Sequence, residues 1–261
     1  MQLNNIVYEK AEGVGTIALN RPAKLNALSF DMLDELWAVL QDIAVDSEVR
    51  VIVLTGTGRY FSAGADLEIL ASLTPASFRT AQRRYWNRVF SEIEDIQKLT
   101  IAALNGPAIG GGLELALCCD VRYSVDDATF AMPQINFGLI PDAGATVRLP
   151  WLMGLAKAKE FILSGESISA REAEAFGLVN RLFPRHTFHD EILKIAMKMA
   201  RKPPLAVGIG KHIINRGFQR RDIRAGLEDA TDAQSILIVT EDYQEGIRAL
   251  KEKRPPVFQG R

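Results

Sequence analysis

The sequence predicts an α/β fold that gives way to a helical C-terminal region. Three observations carry this expectation. Short β-branched, apolar segments at 14–20, 49–55, 99–104 and 121–125 alternate with stretches of helical spacing. Glycine-rich turns stand next to these strands, around Gly58 and Gly64 and from Gly106 to Gly112. From about residue 184 onward the periodicity becomes almost wholly helical.

The elements follow in order. After the 14–20 strand, Phe30, Leu33, Leu36, Trp37 and Leu40 recur at helical spacing. Ser29 is placed to cap that helix, with Asp31 and Asp34 in its early turns. The 49–55 strand runs into Gly58-Arg-Tyr-Phe61-Ser62-Ala63-Gly64-Ala65-Asp66-Leu67, and a second helix begins at Leu67 with Asp66 as its cap. The strands at 99–104 and 121–125 flank a helix predicted over 113–119. Phe183-Pro184-Arg185-His186 breaks the chain before the helical pattern of Ile192, Leu193, Ile195, Ala196 and Met197. Pro203 and Pro204 suit a helix start. The division expected is therefore a core over 1–204 and a helical region over 205–261, with no internal repeat.

Composition bounds the function. The chain has 261 residues, 48% hydrophobic and 24% charged, enough for one sizeable core with a helical appendage. A net charge of −1 argues against a dedicated nucleic-acid surface, and Arg83-Arg84 and Arg220-Arg221 read as solvated helix faces. Cys118 and Cys119 are adjacent in a helical stretch, a geometry unsuited to a mutual disulfide, and read as reduced buried thiols. The start, Met1-Gln-Leu-Asn-Asn, has no basic or apolar leader pattern, and no apolar run reaches membrane-spanning length. A cytoplasmic protein is expected. His186, His189 and His212 lack ligand spacing, so no metal is predicted. Ser62 has no matched His and Asp, and Gly110-Gly-Gly is not a dinucleotide-binding pattern.

The chemistry concentrates in Gly106-Pro-Ala-Ile-Gly110-Gly111-Gly112-Leu-Glu114-Leu-Ala-Leu. Consecutive glycines let a ligand approach the backbone closely. The helix that follows presents free amides and the positive end of its dipole, with the carboxyl of Glu114 in its first turn. Donors for an oxyanion beside a proton carrier are what enolate chemistry needs.

These segments resemble the crotonase family, the enoyl-CoA hydratase/isomerase superfamily. Its pattern F-x-A-G-x-D stands here as Phe61-Ser-Ala-Gly-Ala-Asp66, and N-G-x-x-x-G-G-G-x-E-L as Asn105-Gly106 through Gly110-Gly-Gly-Leu-Glu114-Leu115. The similarity begins at Leu19-Asn-Arg-Pro-Ala-Lys-Leu-Asn26-Ala-Leu28 and ends at Glu245-Gly246 and Glu252-Lys253-Arg254-Pro255. The resemblance implies a spiral of repeated ββα units, with C-terminal helices that build a homotrimer or a hexamer of stacked trimers. It implies an acyl-CoA thioester substrate, with coenzyme A part of that substrate and no separate cofactor. The amides of Ala65 and Gly111 would form the oxyanion hole. Lys24, Ala63, Asp66 and Leu67 match the region that lines the nucleotide channel, and Lys253 a position that reaches a neighbouring subunit's CoA phosphates. Leu67, Leu70, Leu73, Trp86 and Phe90 are candidates for the acyl pocket, or for plain helix core.

One departure matters. Family hydratases pair the glutamate matching Glu114 with a second one twenty residues on, where this chain has Gln134. An amide orients a water or a carbonyl but exchanges no proton at neutral pH. Eight residues later Asp142 stands where I-P-G-x-G-G is the commoner pattern, and several isomerase and dehalogenase branches carry a catalytic aspartate there. Asp142 is read as sharing proton delivery with Glu114 while Gln134 steers water or substrate. The alternative is a cap on the helix that follows. The leading expectation is hydration of a 2-enoyl-CoA. The alternative is an enoyl- or dienoyl-CoA isomerase using Glu114 and Asp142 without water. Decarboxylation, thioester hydrolysis and a non-catalytic scaffold or RNA-binding role stand behind these.

Overall fold

Strands β1 (Ile6–Ala11) and β2 (Val14–Leu19) form an antiparallel hairpin turned through Glu12 and Gly13, both at positive φ. The remaining strands are β3 (Val51–Gly56), β4 (Leu99–Leu104), β5 (Ala108–Ile109), β6 (Val121–Val125), β7 (Thr129–Ala131), β8 (Ser167–Ser169) and β9 (Arg181–Phe183). In this computed structural model, which describes residues 3–261, β1-β2-β3-β4-β6-β9 make one sheet and β5-β7-β8 a second. Met1 and Gln2, part of the start on which the expectation of no leader rests, lie outside the described residues.

Every pairing from β2 to β9 in the large sheet is parallel. Parallel strands are covered on both faces and so read as continuous apolar runs. Val51, Ile52, Val53 and Leu54 of β3 are all buried, as are Ile101 to Leu104 of β4. The strand begins at Val51 rather than at 49. Val49 donates instead to Asp46 O, within the turn that leaves the preceding helix, and the ladder opens with Val14 facing Val51.

Helix α1 (Phe30–Val45) is capped by Ser29, whose side chain accepts from Met32 N, and buries Met32, Leu33, Leu36, Leu40 and Ile43. Then come α2 (Leu67–Ser72), α3 (Pro75–Ala81), a π-helical turn at Gln82–Asn87 and α4 (Arg88–Asp95). Helix α5 (Gly111–Leu117) starts two residues before the expected 113 because Gly111 and Gly112 themselves take helical geometry. It also ends early, where Cys118 N and Cys119 N turn back to Leu115 O and Ala116 O in a tighter last turn. Helices α6 (Ala145–Met153), α7 (Leu155–Ser164), α8 (Ala170–Ala175) and α9 (Phe188–Ala200) complete the layer around the sheets.

The chain winds as a spiral. Each pass lays a strand in the large sheet, an extended piece in the second layer, and then helix. The passes are β3, Ser62 and α2–α4; then β4, β5 and α5; then β6, β7 and the helices after it. Ser62 bridges in parallel to Ala108, and β5 pairs in parallel with β7, so the second layer is continuous. This is the α/β spiral of strand–strand–helix turns that the family resemblance implied.

Beyond β9, α10 (Pro204–Arg220) starts with Pro203 at its cap and Pro204 in its first turn, followed by α11 (Ile223–Leu237) and α12 (Glu241–Glu252). Buried Lys211 ties α10 to the core, pairing with Asp120 at 3.0 Å and donating to Ile93 O and Lys98 O. Helix α11 buries none of its residues within this chain. No helix among the described residues is long and apolar enough to cross a membrane.

Candidate active site

Two loops of the second layer bring Ala65 and Gly111 together. Gly64 has φ +96°, and a Cβ there would stand 2.7 Å from Ile109 O and 3.2 Å from Gly111 N. The two backbones therefore touch only because residue 64 is glycine. A Cβ on Gly111 would lie 3.4 Å from Ala65 N, which puts the two amides side by side. Neither N–H donates to a protein group among the described residues, whereas their neighbours do: Gly64 N to Ser62 Oγ, Asp66 N to Leu28 O, and Gly110 N to Ala131 O. Two adjacent free amides, one of them at a helix start, suit a developing oxyanion.

The Ala65 loop is braced from behind. Asn26, fully buried and at φ 56°, accepts from Arg21 N and donates to Thr57 O and Tyr60 O. Ser62 Oγ donates to Asn26 O. Asp66 caps α2, accepting from Glu68 N at 3.2 Å, and pairs with Arg21 at 3.0 Å. It organises the loop, as its place before Leu67 suggested. Asn26 as a brace was missed, although Asn is among the few side chains that readily take the left-handed conformation found here.

Glu114 lies in the first turn of α5 and is 2% exposed. Its Oε1 accepts from Ala143 N at 2.9 Å and from Ala145 N at 3.0 Å. Its Oε2 faces Gln134 Nε2 at 3.4 Å. Burial pushes the carboxyl up to about 7; the two amides and Arg148 pull it down, and Asp142 pushes it further up. A buried carboxyl poised near neutrality can both take and return a proton.

Gln134 sits in the 3₁₀ turn Pro133–Phe137. With its amide nitrogen toward Glu114, its Oε1 is buried and has no partner among the described residues. An acceptor left open beside the carboxyl is suited to a water hydrogen. Asp142 is solvent-accessible, yet the surrounding protein lifts its carboxyl above the usual range. It does not cap α6. Gly144 occupies the cap position without a side-chain bond, and Glu114 already binds the amides of Ala143 and Ala145. Asp142 instead walls a hollow of about 280 Å³ between α4 and α6, with Phe90, Glu94 and Arg148.

The outlying candidates divide. Lys24 is exposed and reaches Glu68 at 3.3 Å, and Ala63 N donates to Leu25 O, so both stand beside the Ala65 loop. Leu67 is 67% exposed at the start of α2 and free to meet a ligand. Trp86 and Phe90 are buried, Trp86 edge-on to Phe30, and serve the core between α1 and α4. Lys253 ends α12 in a left-handed conformation, and no hydrogen bond or ion pair among the described residues ties it to Glu114. Cys118 and Cys119 are buried and free; burial raises both thiols, Cys119 to about 12. Among the described residues no group of three or more metal-ligating side chains comes together.

The sequence matches the family described as enoyl-CoA hydratase/isomerase over residues 9–261. It is 38% identical over 260 residues to the 2,3-dehydroadipyl-CoA hydratase of Escherichia coli strain K12, covering 99% of this chain and 100% of that one. It is 37% identical over 259 residues to the crotonyl-CoA hydratase of Syntrophomonas wolfei, covering 99% of each. Among solved structures, an enoyl-CoA hydratase from Bacillus anthracis superposes with a TM-score of 0.95 at 38% identity, over 99% of this chain and 100% of that one.

Proposed function

The chain belongs to the enoyl-CoA hydratase/isomerase family, and on that premise we propose that it adds water to a 2-enoyl-CoA thioester with Glu114 as its proton carrier. The observation that carries this is the buried Glu114 carboxyl, its Oε1 held by two backbone amides and its Oε2 beside the Gln134 amide, in the segment that also supplies the Gly111 amide. The thioester carbonyl sits against the amides of Ala65 and Gly111. Glu114, ionised, takes a proton from water as the water oxygen bonds to C3. The electron pair of the double bond moves to the carbonyl oxygen, where the two amides hold the enolate. Each such donor is worth about 10²–10³ in rate. Glu114 then returns the proton to C2. The product is the 3-hydroxyacyl thioester, with hydrogen and hydroxyl both drawn from one water.

Gln134 fits this scheme as an orienter: its free Oε1 accepts the water hydrogen that Glu114 does not take. One carboxyl thus does the work of the usual two. Asp142, close enough to raise Glu114, favours the protonated stage of the cycle. The relatives named above are hydratases, which favours water addition over isomerisation by Glu114 and Asp142.

Lys24, Ala63, Asp66 and Leu67 line the entry for the CoA moiety, and Lys253 reaches the CoA phosphates of a neighbouring subunit. The 205–261 region is the oligomerisation region of a trimer or a dimer of trimers in the cytoplasm. Supporting this, Ile223, Leu227 and Ile236 of α11 are exposed in the single chain. The test is turnover of crotonyl-CoA. Glu114→Gln is expected to lower kcat at least about a hundredfold. Undiminished turnover in that variant would remove Glu114 from the chemistry.

A further inference from the structure

What fixes Glu114 is itself fixed from outside the site. The amides that bind Glu114 Oε1 belong to Ala143 and Ala145, on either side of Gly144. Gly144 has φ +119°, so this turn has no side chain of its own to stiffen it. Stiffness comes from one helical turn onward. Arg148 Nη1 donates to Ala143 O at 3.3 Å, and Arg148 Nη2 donates to Glu94 Oε2 at 2.5 Å across the gap to α4. The guanidinium lies against the bare face of Gly144, where a Cβ would stand 1.7 Å from Nη1.

This pair differs from the surface ion pairs of the molecule. The Arg148 side chain is 17% exposed and that of Glu94 27%, against 58% and 82% for Lys24 and Glu68. Shielded pairs keep their geometry, whereas exposed ones contribute little. Arg148 Nε is also buried without a partner among the described residues. A buried donor left unmet is unfavourable, so the guanidinium is not placed to satisfy itself. Its two ends are engaged, one on the turn and one on α4.

We infer that Arg148, clamped by Glu94, is a positioning residue for Glu114, holding the 143–145 turn so that Oε1 stays tied to its two amides and Oε2 stays beside Gln134. The groups facing that carboxyl are Gln134 from its turn, Asp142 and Arg148 from the α6 side, and the Cys118 thiol at the end of α5. Of the two ionic ones, Arg148 favours the carboxylate and Asp142 opposes it. The kinetic half of the inference rests on the hydratase reading; the titration half does not.

The experiment compares Glu94→Gln, Arg148→Lys and Arg148→Met with the unmodified chain, each checked by circular dichroism and hydrodynamic size. Turnover of crotonyl-CoA is measured, and the Glu114 carboxyl is titrated by carbon-13 NMR, its signal assigned with Glu114→Gln. In Glu94→Gln and Arg148→Lys, kcat is expected to fall about tenfold to a hundredfold with KM within about twofold, the mark of a displaced group. In Arg148→Met the Glu114 titration moves to higher pH. A folded Glu94→Gln or Arg148→Lys with unchanged kcat and an unmoved titration would overturn the inference. Should Arg148→Met not fold, Glu94→Gln decides, because it leaves the guanidinium in place. Should the unmodified chain not hydrate crotonyl-CoA, the proposed function falls, and the Glu114 titration alone decides the clamp.

Discussion

At the scale of the residue, the proposed hydration makes Glu114 the group that sets the pH dependence of turnover. Burial outweighs the two amides and Arg148 and holds its carboxyl at about 7. The first step of hydration needs the ionised form, which predominates above that value and disappears below it. Turnover is therefore expected to rise with pH through an inflection near 7, measured as kcat with saturating crotonyl-CoA. Loss of the inflection in Glu114→Gln would tie it to this residue, and an inflection that persists there would assign it elsewhere. The Glu114 position was legible because glycines and apolar neighbours flank it in the sequence. Its partners were not. Ala143 and Ala145 lie 29 and 31 residues away, and a backbone amide leaves no mark in an amino-acid code. The cap reading of Asp142 failed for the same reason: a distant carboxylate had taken the amides a local cap would use.

At the scale of the element, the site exists because two loops of the second layer come within backbone contact. Gly112 shows how little room there is. A Cβ on it would lie 2.6 Å from both Cβ and O of Ser62, and the Ser62 oxygen belongs to the backbone. Gly112→Ala is expected to push α5 away from the Ala65 loop, at about 1–3 kcal/mol in stability by denaturant unfolding. It should also lower kcat, since the Ala65 and Gly111 amides, proposed to hold the oxyanion, move apart. Local capping was read correctly at Ser29 and Asp66, where side chain and amide are two or three residues apart. The opening of β3 slipped because Val49 N turns back to Asp46 O, so the chain joins the sheet only where Arg50 N and Val51 N reach Gly13 O. The Arg148–Glu94 bridge spans 54 residues, and nothing in either segment announces the other.

At the scale of the whole molecule, the spiral lets three successive passes of the chain deliver the Ala65 loop, the Gly111 helix and the Gln134–Asp142 stretch to one place. Strand alternation alone predicts an α/β sheet and says nothing of this winding, which came from the family resemblance. The C-terminal helices leave apolar side chains outside. Leu227→Glu on α11 is expected to lower the particle mass seen by light scattering from that of a trimer or hexamer toward the single chain. An unchanged mass would place the interface elsewhere. The measurement that tests the account most directly follows crotonyl-CoA in heavy-oxygen water by mass spectrometry. Hydration through Glu114 predicts one heavy oxygen in a 3-hydroxyacyl-CoA product. A shifted double bond with no oxygen taken up would contradict it.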